Sequence, residues 1–218
     1  YTLTKESMGS RYLCICMRTQ CDVTNPEDLA IAHALQDQLV LSQSAVGSYV
    51  PSHKWDMDEM LAMRAYYQEL TVEKGFTSEM LFGKKGDVPL DEHHCGAAYG
   101  WGGLTADQAV YPMYVPTSDA PQTLTLRDGP VNAFWSITIY DQDGYPQGGV
   151  YTINSAAAET DKDGAATIHF GGDSNASNHM DVFEGWNFVL RMYAPTQDYF
   201  TGKWTRPELA GLAPAEQQ

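Results

Sequence analysis

Residues Asn132 to Tyr140 alternate with a period of two: Ala133, Trp135, Ile137 and Ile139 fall on one face, Phe134, Ser136, Thr138 and Tyr140 on the other. Only an extended chain sends successive side chains to opposite sides, so this run is a strand with one apolar face. A strand must pair, and the flanking sequence supplies partners. Val110–Val115, Gln122–Arg127, Val150–Asn154, Ala165–Phe170 and Trp186–Tyr193 are rich in β-branched and aromatic residues and are bounded by turn formers. Asp143-Gly144 and Asp163-Gly164 provide the residues that hairpin turns demand. Short strands at this spacing predict an antiparallel β-sandwich from about Val110 to Pro207.

The first half of the chain has a different texture. Ser10–Thr19 alternates in the manner of a strand covered on both faces. Asn25-Pro26-Glu27-Asp28 combines an N-cap, a proline suited to the first helical position and two acids that favour the helix dipole, so a helix is expected to about Ser42. Its apolar stripe is Leu29, Ile31, Ala32, Leu35 and Leu39. A second helix is expected from about Asp56 to Lys74, stopped at Gly75, with Met60, Met63, Tyr67 and Leu70 inward. Thr77 caps a short helical turn through Leu81, and Leu90–Tyr99 is another short helix. The division expected is therefore 1–24, a strand and loop ending an upstream β region; 25–105, a helical segment; and 106–218, the C-terminal sandwich.

Composition excludes several function classes. With 28 acidic residues against 13 basic ones in 218, the net charge of −15 repels phosphate backbones and anionic headgroups, so nucleic acid is not an expected partner. The acids are scattered, which suits solubility in a salty or extracellular setting. No apolar run approaches the ~20 residues of a membrane helix. The chain begins at Tyr1 without an apolar leader, which reads as an export signal removed or lying elsewhere. Cys14, Cys16, Cys21 and Cys95 match neither a disulfide scaffold nor paired C-x-x-C zinc spacing; free thiols and a single bridge such as Cys21 with Cys95 both stand open.

A set of motifs carries a family resemblance. His94-Cys95-Gly96-Ala97-Ala98-Tyr99-Gly100-Trp101-Gly102-Gly103, then Val131 to Tyr140, Asp163-Gly164 with Ala166 to Phe170, Gly185-Trp186-Asn187-Phe188, Arg191 to Pro195, and Gly202-Lys203-Trp204 with Pro207, resemble the proteins carrying domains of unknown function 1254 and 1214. Tyr1 to Gln36 resembles the middle section of those proteins. The resemblance implies a mainly β fold with a helical insert, an antiparallel jelly-roll-like sandwich preceded by two to four helices, with another β-rich region upstream. It also implies export, to a periplasmic or extracellular location, and it assigns no activity.

Candidate chemistry is sparse. There is no Gly-x-Ser-x-Gly elbow. His93, His94 and His169 are the candidate bases for a hydrolase or lyase acting on a small or saccharide substrate. Adjacent helical residues point roughly 100° apart, so His93 and His94 do not share one metal, and no metal or cofactor is expected. Asp141-x-Asp143-Gly144 and Asp161-x-Asp163-Gly164 lack the later Glu of a calcium loop and read as hairpin turns. Tyr99, Trp101 and Tyr145 lie beside glycines and are the candidate ligand-binding rings, for a glycan or other small ligand. Asn175-Ala176-Ser177 is a glycosylation sequon. Arg191, mid-strand, is expected to bridge to a carboxylate such as Asp141 or Glu184. The leading expectation is an exported binding or structural protein; enzyme, and subunit of a homo-oligomer or larger assembly, are the alternatives.

Overall fold

The computed structural model describes residues 1–9, 13–22, 25–44, 54–84, 86–100, 102–127 and 129–210. The chain divides into two compact units, 1–54 and 55–218. Among the described residues helix accounts for 26% and strand for 18%, so the two classes are mixed, with the strands gathered in the second half.

The first unit holds α1 (Lys5–Met8) and α2 (Pro26–Gln36). The Asn25 side chain accepts from the backbone N–H of Glu27 and Asp28, as its capping position dictates. Two expectations are corrected here. Helix α2 stops at Gln36 rather than near Ser42, and of its stripe only Ala32 is buried, Ile31, Leu35 and Leu39 being exposed. Residues 13–19 form no ladder, and Leu13, Ile15 and Met17 are exposed; residues 10–12 lie outside the described residues. Alternation makes a strand only where another strand offers its backbone groups, and among the described residues this segment has none beside it.

The second unit begins with α3 (Met57–Lys74), capped by the Asp56 carboxylate at the Asp58 and Glu59 N–H groups and ended by Gly75 at φ 64°. Then come α4 (Ser78–Leu81) and α5 (Leu90–Tyr99). Helices α3 and α5 pack together, and Arg64 Nε and Gln68 Nε2 both donate to the Ala98 carbonyl at 3.2 Å, closing the end of α5. Along α3 only the second half turns inward: Tyr67 and Leu70 are half-buried, whereas Met60 and Met63 are exposed, contrary to expectation. Gly96 permits the α4–α5 contact, since a Cβ there would stand 3.0 Å from the Leu81 carbonyl oxygen.

Two open sheets follow. In the first, β8 (Asn187–Tyr193) is central: β4 (Trp135–Tyr140) pairs with one edge and carries β5 (Thr152–Asn154), while β1 (Ala109–Val110) and β2 (Met113–Tyr114) pair in succession with the other edge. In the second, β6 (Ala166–Phe170) lies between β3 (Gln122–Leu126), antiparallel, and β7 (His179–Met180), parallel. The expected strand Val110–Val115 is interrupted because Pro112 has no N–H and the Tyr111 N–H turns to Ser78 Oγ at 3.0 Å; the Pro112 carbonyl still accepts from Leu190. The Asp163-Gly164 turn forms, but it joins β5 to β6 and so passes from one sheet to the other; it is not a hairpin. Asp143-Gly144 does turn the chain between the paired strands β4 and β5.

The sheets share one core. Ile137, Ile139, Phe188 and Leu190 come from the first sheet; Leu124, Ile168, Phe170 and Met180 come from the second, all fully buried. Phe170 meets Phe188 at 4.7 Å between ring centroids, and Trp186 lies 5.0 Å from Phe170 with its indole N–H donated to the Ser118 carbonyl at 3.0 Å. Arg191 has no carboxylate partner among the described residues: its guanidinium donates to the Tyr140 hydroxyl at 2.7 Å. The ladder pairing Tyr140 with Asn187 and Ser136 with Arg191 puts this hydroxyl, not Asp141 or Glu184, within the arginine's reach.

Candidate ligand-binding cleft

Strand β3 alternates as its sequence requires. Leu124 and Leu126 enter the core, and Thr123, Thr125 and the following Arg127 face away from it. Thr125 Oγ1 lies 3.0 Å from Thr167 Oγ1 on β6, a cross-strand hydroxyl pair. After β8 the chain forms α6 (Gln197–Phe200), turns at Gly202 with φ 72°, and returns along the outer edge of β3, where Thr123 and Ala210 exchange backbone hydrogen bonds at 2.9 and 2.8 Å. Between β3 and this returning segment lies a cleft of about 590 Å³, lined by Thr125, Arg127, Asp198, Lys203, Trp204 and Thr205.

The cleft wall is held from behind. Trp204 packs on Tyr199, ring centroids 5.9 Å apart, and its backbone N–H donates to the Asp198 carbonyl at 2.9 Å. Lys203 Nζ reaches Asp198 at 2.9 Å, an exposed pair whose value is in orienting the turn. The Tyr199 hydroxyl donates to Glu79 on α4, which also accepts from Ser78 at 3.1 Å. Burial raises the Glu79 carboxyl, but hydrogen bonds from Tyr199, Thr77 and Ser78 outweigh it and leave the group below its ordinary value. Burial raises the Tyr199 phenol, and the hydrogen bond and the repulsion from the Glu79 charge add to it, so it remains a donor. This pair ties the helices to the cleft's supporting turn.

The nominated residues lie elsewhere. His93 is exposed and His94 half-buried on α5, with ring centroids 6.1 Å apart; His94 Nδ1 stands 2.9 Å from the Tyr67 hydroxyl on α3. His169 is on β6, paired across the ladders with Thr123 and His179, so the three candidate bases do not converge. Tyr99 donates to the Gln68 carbonyl at 3.3 Å, Tyr145 is 69% exposed on the β4–β5 turn, and Trp101 lies outside the described residues. Of the nearby glycines, Gly103 has a packing reason, since a Cβ there would sit 2.1 Å from the Phe82 ring, whereas a Cβ on Gly100 or Gly102 would meet nothing within 4 Å. Asn175 is exposed, and its side chain donates to Asp173 at 3.1 Å.

Sequence reasoning did not nominate the cleft. Gly202-Lys203-Trp204 was the available signal, a turn glycine followed by a cation and an indole, but Thr125 and Arg127 join it only through the return of the chain along β3. It also did not nominate His179, whose Nε2 lies 3.2 Å from Asp181 Oδ1, with Nδ1 buried and unpartnered among the described residues. The other Asp181 oxygen accepts from Gly149 at 2.9 Å and Val150 at 2.8 Å, and these bonds, with that of His179, hold its carboxyl below its ordinary value.

The region that builds both sheets has relatives. Residues 111–197 match the family described as "Protein of unknown function (DUF1214)". That stretch is similar to the family, and the match covers less than half of the chain. It contains β2 to β8 and ends as α6 begins, so Arg127 lies inside it and Lys203 and Trp204 beyond it. Among solved structures, the chain is similar to the VPA0106 protein from Vibrio parahaemolyticus, with a TM-score of 0.51 and 20% identity over 87% of this chain and 46% of that one. It is also similar to an uncharacterised protein from Burkholderia cenocepacia, with a TM-score of 0.36 and 16% identity over 71% of this chain and 51% of that one. The chain thus spans about half the length of each. No curated protein matches it.

Proposed function

We propose that the chain is a binding module that holds a glycan or similar small polar ligand in the cleft beside β3. The observation that carries this reading is the joining of an indole, hydroxyls and a cation in one recess of about 590 Å³, backed by the Trp204–Tyr199 stack. A half-buried indole offers a flat apolar face for a sugar ring, while Thr125, Thr205 and Arg127 supply the hydrogen-bonding groups that orient it. In this reading the two sheets form a mainly β, jelly-roll-like module, and the acidic balance suits an exported protein. Export and ligand class rest on chemistry rather than on any relative.

Titration calorimetry against a panel of neutral and acidic saccharides tests the proposal. Arg127→Ala and Thr205→Ala, both at exposed positions, are expected to weaken binding about tenfold while leaving the melting temperature in place. Wild-type protein that binds none of the panel, or variants that bind as tightly as it does, would overturn the reading.

A second reading, a subunit of an oligomer or larger assembly, has its own support in the exposed apolar side chains of Ile31, Leu35, Leu39 and Leu41. Light scattering across a concentration series separates it: a constant monomer mass removes the homo-oligomer.

A further inference from the structure

The first unit carries two exposed thiols, Cys14 and Cys16, whose sulfur atoms stand 3.7 Å apart. A disulfide would bring them to ~2.05 Å, so they are free. In a tetrahedral thiolate site with metal–sulfur bonds of ~2.3 Å, two sulfurs stand ~3.75 Å apart; a linear site would need ~4.6 Å. The pair therefore already spans one edge of a tetrahedron, and it is too close for linear coordination. We propose that Cys14 and Cys16 form a two-thiolate chelate for a tetrahedral thiophilic dication of the zinc or cadmium class.

The charge chemistry supports it. Binding forms two metal–sulfur bonds and releases two protons to solvent, with no electron transferred. Among the described residues no third His, Cys, Asp or Glu completes a set, so water or a donor from another molecule fills the remaining positions. A net charge of −15 draws cations toward the chain.

The test is a cadmium titration of the full chain with its thiols reduced, followed by the ultraviolet sulfur-to-cadmium charge-transfer band, with zinc as competitor. One ion per chain, two protons released and displacement by zinc are expected. Cys14→Ser and Cys16→Ser should each weaken binding at least about tenfold, and Cys21→Ser should leave it unchanged. Cadmium should also protect Cys14 and Cys16 from alkylation, read by mass spectrometry, while circular dichroism checks that the variants fold. Absence of the band in reduced wild-type protein, undiminished binding in the Cys14→Ser/Cys16→Ser double variant, or equal loss in Cys21→Ser would overturn the assignment.

Discussion

Two stretches of this chain alternate with nearly the same quality, and they end differently. Trp135–Tyr140 sits between β8 and β5 with Ile137 and Ile139 fully buried, whereas residues 13–19 pair with no strand among the described residues and expose Leu13, Ile15 and Met17. The difference lies outside both segments. Alternation supplies an apolar face, but the ladder comes from neighbouring strands, and the second unit provides them on both sides. The same contrast holds for helices: Asp56 and Gly75 bound α3 as firmly as local chemistry allows, yet Met60 and Met63 remain exposed because no described element of the second unit covers that half.

If the contrast is one of tertiary support, substitutions should separate the regions. Phe188→Ala, which removes a ring touching Tyr114, Phe170 and Trp186, is expected to cost about 3–5 kcal/mol in urea unfolding. Leu35→Ala on α2, 51% exposed, is expected to cost less than about 0.5 kcal/mol. Equal costs would break the comparison. Next in size is Asn178→Ala. The Asn178 side chain accepts from the exposed Glu159 N–H and donates to the exposed Glu159 carbonyl and the part-buried Thr167 carbonyl, so its loss is expected to cost about 1 kcal/mol by the same measurement.

A smaller effect with the opposite sign is expected at Ala194, which holds φ 49° where β8 leaves the sheet. Ala194→Gly should raise the melting temperature, relieving a left-handed strain of about 1 kcal/mol and losing part of that to chain entropy. The smallest effect is a pH dependence. The Glu79 carboxyl is held below its ordinary value in the folded chain, so its stabilisation is present above the unfolded value of about 4.3 and fades as pH falls through the lower folded value. Glu79→Gln should flatten that part of the stability curve measured by denaturation at pH 3 to 6. An unchanged slope would remove the Glu79–Tyr199 contact as the tie between α4 and α6.

Local chemistry was legible where one residue's own hydrogen bonds decide the outcome. Asn25, Asp56 and Gly75 bound their helices as read, α5 spans Leu90–Tyr99, and Asp143-Gly144 turns the chain between paired strands. Legibility failed where the outcome depends on a distant partner. Arg191 meets the Tyr140 hydroxyl because of the β4–β8 register, Asp163-Gly164 crosses between sheets because β5 and β6 belong to different ones, and β7 rests on only His179 and Met180, too short for a pattern to show. The cleft follows the same logic: its walls come from Thr125 and Arg127 on one side and Lys203 to Thr205 on the other, brought together by the Thr123–Ala210 bridge.

The sequence by itself determined the apolar faces, the caps at Asn25 and Asp56 and most of the turns, and through its motifs the similarity of residues 111–197 to a known family, because each of these depends on residues within a few positions of one another, whereas Thr77 at the start of α4 makes no side-chain capping bond. Only the tertiary structure decided which alternating segment became a strand, which histidines stayed apart and which side chains line a recess. Those outcomes turn on backbone pairing and burial between elements far apart in the chain, and no local pattern encodes which distant surface will be opposite.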